Sequence, residues 1–67
     1  MKLSRFLDME KKRPYQFARE AGVPKTTVYF IAKHGYAPPG TTLATLQGII
    51  DYTKGEVRIE DMVMTDA

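Results

Sequence analysis

Apolar positions along the 67-residue chain fall into four short clusters with helical spacing, each followed by glycine or proline. Leu3, Phe6 and Leu7 recur at i, i+3, i+4, which is one face of a helix. They predict a first helix from about Lys2 to Lys11 or Lys12. Pro14 then stops that helix and opens a second, because proline suits a first helical turn. Phe17, Ala18 and Ala21 form the inner face of the second helix, and Gly22 ends it. Pro24 is placed to open a third helix running to about Lys33 or His34, with Val28 and Ile31 facing inward and Gly35 closing it. The stretch GYAPPG, Gly35 to Gly40, reads as a loop. Thr41 or Thr42 is expected to cap a fourth helix. On it Leu43, Leu46 and Ile50 share one face, with Ile49 beside them, and Lys54-Gly55 stops it.

The last stretch, GEVRIEDMVMTDA, carries two patterns. Val57 and Ile59 alternate as in a strand, whereas Ile59, Met62 and Val63 are spaced as in a helix. A short fifth helix from about Ile59 to Val63 is the expectation. The fold class that follows is all-α: a compact domain of four to five helices over residues 1–63, with a disordered tail at 64–67. No repeat, linker or low-complexity segment divides it.

Length limits what holds such a domain together. A chain of this size buries only roughly 60% of its unfolded surface. There is no cysteine, so a disulfide or a thiolate metal site is not available, and His34 is the single histidine. Neither a metal nor a cofactor is expected. No apolar run approaches the roughly 18 residues of a membrane span. The N-terminal MKLSRFLDMEKK has charges within its apolar pattern, unlike a signal peptide. A cytoplasmic, nucleoid-associated location is expected, with no membrane and no small-molecule substrate as partner.

The net charge of +2 hides an asymmetry. Residues 1–34 carry eight basic against three acidic side chains, a net +5, and residues 35–67 carry two against five, a net −3. A basic half points to a polyanion as partner. The stretch FAREAGVPKTTVYFI, Phe17 to Ile31, gives that half a form. A helix, a tight turn through Gly22-Val23 and a second helix make a helix-turn-helix pattern. Ala18 sits where the two helices cross, Val23 and Val28 fill the wedge, and Ile31 anchors the second helix. The outer face of that helix is then Lys25, Thr26, Tyr29, Phe30 and Lys33, with Thr27 near its start. A helix fits the DNA major groove and reads bases from its N-terminal part. Threonine brings a hydroxyl and a methyl, lysine reaches guanine or a phosphate, and an aromatic ring meets a thymine methyl.

Ala18, Gly22, Val23, Val28 and Ile31 resemble the helix-turn-helix of the phage lambda-repressor and Cro-like family. The likeness spans roughly Lys2 to Asp51 and leaves the tail unconstrained. It implies a compact all-helical domain that binds operator double-stranded DNA as a homodimer and represses transcription in bacteria or their phages. It places Lys25 and Thr26 at the first base-contacting positions of the recognition helix, and Tyr29 and Phe30 at the next exposed ones. Where that family often has glutamine or threonine against a phosphate, this chain has Pro14. The contact then passes to Arg13, Tyr15 or Gln16. Phe30 stands where a polar residue is common. The candidate base readers are Lys25, Thr26, Thr27, Tyr29 and Phe30. The candidate phosphate contacts are Lys11, Lys12, Arg13, Tyr15, Gln16, Arg19 and Lys33. The acidic second half, around the fourth helix and the tail, is the expected dimer surface. The Pro38-Pro39 loop receives no role.

Other chemistries find less support. A hydrolytic triad needs a histidine beside a nucleophile and an acid, and His34 is expected at a helix end. Glu60-Asp61 are consecutive and point apart on a helix. No phosphate-binding loop of the G-x-x-x-x-G-K kind is present. The chain is not expected to be an enzyme. The rival reading is a protein-interaction module of the same fold, of antitoxin or anti-repressor type, using exposed Tyr29, Phe30 and Tyr36 as anchors. Double-stranded RNA is disfavoured because its major groove is too narrow for a helix.

Overall fold

The computed structural model describes residues 1–63, and the tail expected at 64–67 lies outside them. Among the described residues there are four α-helices and no strand: α1 (Leu3–Glu10), α2 (Pro14–Ala21), α3 (Lys25–His34) and α4 (Leu43–Tyr52). The expected fifth helix is a single 3-10 turn at Ile59–Asp61.

Local chemistry sets the boundaries. α1 ends where Lys11 turns left-handed at φ 54° and the Lys12 N–H bonds the Leu7 carbonyl at 3.0 Å. Pro14 starts α2, where the missing N–H would have had no helical partner. At the other end Gly22 takes φ 73°, and its N–H and that of Val23 both bond the Ala18 carbonyl. A Cβ at Gly22 would meet nothing within 4 Å, so the requirement is backbone geometry and not space. Any other L-residue there takes on a left-handed penalty of roughly 1–2 kcal/mol. Pro24 flanks α3 in extended conformation instead of forming its first turn. Thr42 caps α4 by accepting a hydrogen bond from the Thr45 N–H at 3.3 Å.

Phe17, fully buried on α2, is the centre of the core. The Phe6 ring of α1 meets it edge-on at 6.0 Å and the Tyr52 ring of α4 at 4.9 Å. Leu3, Leu7, Ala18, Val28 and Ile31 pack around this group. α4 departs from the expected face. Leu46 and Ile49 are its buried positions, Ile50 is half-buried, and Leu43 is 67% exposed. Leu43 is the first residue of α4, one turn beyond the reach of the core. Gly48 explains how close α4 lies to the α2–α3 turn: a Cβ there would stand 3.2 Å from a Val23 methyl.

The C-terminal segment completes the core from below. The buried Thr53 hydroxyl donates to the Ile50 carbonyl at 3.1 Å and accepts from the Val57 N–H at 3.2 Å. This bend carries Val57 into the interior. Met62 is also fully buried, and its carbonyl accepts from the Ala37 N–H of the α3–α4 loop at 2.6 Å. Of Ile59, Met62 and Val63, whose spacing is that of a helix, only Met62 turns inward, and Ile59 and Val63 are exposed. Among the described residues no helix is long and apolar enough to cross a membrane.

Candidate nucleic-acid interface

The inward positions of α3 decide what its outward positions offer. Thr27, Val28 and Ile31 are buried, which turns Lys25, Thr26, Tyr29, Lys33 and His34 outward. Lys25, Thr26, Tyr29, Phe30, Lys33 and His34 of α3, with Tyr15 from the first turn of α2, line one open groove of about 780 Å³. Tyr15 and Tyr29 are about half exposed, at 51% and 47%. Four of the five expected base readers and two of the expected phosphate contacts thus converge on one surface.

The fifth base reader does not. Thr27 is only 9% exposed and belongs to the interior. It stands one turn before Ile31 on the buried face of α3, so its hydroxyl and methyl are not offered outward. Phe30 is intermediate. It is half-buried, with its ring 4.3 Å from that of His34 and edge-on to Tyr36 at 5.6 Å. Phe30 and His34 of this group line the groove at the C-terminal end of α3. His34 was legible in sequence as a residue at a helix end. Its place beside Phe30, one turn away on the same ridge, follows from i, i+4 spacing.

The candidate phosphate contacts separate in the same way. Lys33 and Tyr15 line the groove. Arg19 is exposed, one turn after Tyr15 on the same ridge of α2. Lys11 and Arg13 are exposed in the α1–α2 connection, and Gln16 is exposed on the ridge that leads to Glu20. Lys12 is engaged elsewhere. Its ammonium donates to Glu20 at 2.6 Å and to the Tyr52 hydroxyl, and lies 5.0 Å from the centre of the Tyr52 ring. The Tyr52 hydroxyl in turn donates to Glu20. The hydrogen bond to Glu20, then that to Tyr52, raises the Lys12 pKa. Lys12 likewise, and Tyr52 after it, hold the Glu20 carboxyl below its ordinary range. Lys12 is therefore a tie between the α1–α2 connection, α2 and α4, and its charge is answered within the chain. No local pattern announces this tie, because Glu20 and Tyr52 lie 8 and 40 residues away from Lys12.

A second ion pair joins the ends of the described chain. The N-terminal ammonium of Met1 donates to Asp61 at 2.7 Å. That contact first, and the Arg58 N–H second, hold the Asp61 carboxyl below its ordinary value. Among the described residues these two are the salt bridges, and neither involves a residue of the groove. Nor does any group of three or more potential metal ligands form among the described residues. α3 starts without a side-chain cap, so its first-turn N–H groups are not taken by a neighbouring side chain. Comparison of the chain with family models, curated proteins and solved structures finds no match.

Proposed function

We propose that the chain is a sequence-specific double-stranded-DNA-binding transcriptional regulator of the lambda-repressor and Cro-like kind, a repressor of phage, prophage or bacterial origin. In this reading α2, the Gly22 turn and α3 are the helix-turn-helix, and α3 lies in the major groove. One observation carries it: Lys25, Thr26, Tyr29 and Lys33 stand together on the exposed side of a helix whose other side is pinned by Val28 and Ile31. Lys25, Thr26 and Tyr29 face base edges. Lys33, Tyr15 and Arg19, with Lys11 and Arg13 beyond them, meet phosphates, which set position and not sequence.

One such module covers few base pairs, so the protein works as a homodimer on a two-fold site with half-sites about one helical turn apart. The exposed Leu43 of α4 and Ile59 and Val63 of the C-terminal segment supply apolar surface for that pairing. The protein acts in the cytoplasm, on the nucleoid. Selection from a random duplex pool at two salt concentrations tests the reading. The expected result is a two-fold-symmetric consensus whose affinity falls steeply with salt, as binding through several phosphates requires. Recovery of no consensus, with weak binding indifferent to salt, rejects it and favours the protein-interaction module anchored on Tyr29, with Phe30 and Tyr36, both half-buried and not fully exposed as expected, beside it.

A further inference from the structure

The groove is as informative in what it lacks as in what it holds. Base pairs in the major groove are distinguished by a small set of side chains: asparagine or glutamine grips adenine, aspartate or glutamate accepts from cytosine, arginine or lysine grips guanine, and apolar groups meet the thymine methyl. α3 has no Asn, Gln, Asp, Glu or Arg anywhere in its sequence, KTTVYFIAKH. Gln16 lies on α2 and is not among the groove residues. The exposed surface between Lys25 and Lys33 is instead the threonine of position 26 and the ring of Tyr29, three residues on and so on one ridge. Phe30, held by His34 and Tyr36, backs that ridge. The centre of the face is therefore a methyl and aromatic surface flanked by two cations, with His34 at its C-terminal end and no carboxamide to grip the adenine edge with two hydrogen bonds.

We infer that this surface recognises A·T pairs through the C5-methyl group of thymine, by the Thr26 methyl and the Tyr29 ring, and not through adenine. The inference rests on the DNA-binding reading above. Thymine and adenine then contribute unequally: the strand whose thymine faces Thr26 or Tyr29 is the one that is read. Lys25 and Lys33 are left for guanine or phosphate. Target sites carry thymine at fixed positions opposite the ridge.

The test uses the full chain and the duplex obtained by selection. Each thymidine is replaced singly by deoxyuridine, which removes the methyl and keeps base pairing. At one or two positions affinity is expected to fall about three- to five-fold, the ratio that corresponds to the burial of one methyl-sized group. 5-Bromodeoxyuridine, whose bromine fills the methyl's volume, restores it. Thr26→Ser keeps the hydroxyl and loses the methyl, so the thymidine-to-deoxyuridine ratio at its position falls to about one, whereas Thr26→Val preserves the ratio. Tyr29→Ala, at an exposed position, abolishes the ratio at its own position without lowering the melting temperature. Equal affinity for thymidine and deoxyuridine at every position overturns the inference while leaving sequence-selective DNA binding intact. A ratio that survives both Thr26→Ser and Tyr29→Ala overturns the assignment to these residues. Failure to select any duplex overturns this inference and the DNA-binding reading together.

Discussion

The two sides of this small domain are held by different kinds of contact. Where α4 and the C-terminal segment pack, polar groups close on one another: Lys12 with Glu20 and Tyr52, Met1 with Asp61, Thr53 with Val57, Ala37 with Met62. On the outer side of α3, the groove lysines make no salt bridge among the described residues, and α3 itself has no side-chain cap. That side is fixed from beneath, by Val28 and Ile31 with Thr27 beside them. The difference teaches that ionic contacts here serve architecture on one side, while on the other the buried anchors hold a helix whose polar groups remain open to a partner.

Substitutions that break the two sides separately sharpen this contrast. The largest effect is expected at the shared centre. Phe17→Ala removes the ring between Phe6 and Tyr52 and should cost about 3–5 kcal/mol, enough to unfold a domain this size. Circular dichroism in increasing denaturant measures it, and a loss below that of a surface site would show that Phe17 is not the keystone. Next, Thr26→Ala should weaken selective binding by about 1–3 kcal/mol while stability stays within roughly 0.5 kcal/mol of the parent. Affinity for the selected duplex and for a scrambled one, read beside a thermal melt, tells the two apart. A melt that falls with affinity would make Thr26 structural.

The lysines give a finer split. Lys33→Ala should reduce the slope of log affinity against log salt by about 0.9, one phosphate's share, and leave the melt alone. Lys12→Met should do the reverse, lowering the melting temperature and sparing the slope. Identical slopes for the two variants would dissolve the distinction between them. The smallest effect is on pH. Glu20 is held below its ordinary 4.5 and Asp61 below its ordinary 3.8. A carboxyl depressed in the folded state contributes stability above its unfolded pKa and loses it as pH falls through the folded one. The melting temperature should therefore decline modestly once pH drops below about 4.5, and less so in Asp61→Asn. A parent and an Asp61→Asn variant that melt alike throughout the acid range would remove Asp61 from the account.

Much of the fold was legible because it is local. Pro14, Gly22 and Gly35 punctuate the helices, and Phe17, Ala18, Val28 and Ile31 announce their faces by spacing. The outer positions Lys25, Thr26, Tyr29 and Lys33 followed by elimination. Thr27 was misplaced although its signal was present: four residues before Ile31, it shares the buried ridge. Leu43 was misplaced because periodicity says which way a side chain turns but not whether the core extends far enough to meet it. Gly48 was a visible clue, a glycine inside a helix, whose cause is a tertiary approach to Val23. The Lys12–Glu20–Tyr52 tie and the burial of Val57 and Met62 depend on residues far apart in the chain, and no short window contains them.

The seating of Met62 has a practical consequence. A shortened version ending at Gly55 would keep all four helices on paper and yet forfeit Val57 and Met62, each worth about 1.5–3 kcal/mol when fully covered. It would also free the Ala37 amide from its acceptor, loosening the stretch that leads from α3 to α4. A trimmed fragment that failed to hold DNA would therefore report on a hollowed interior and not on the groove.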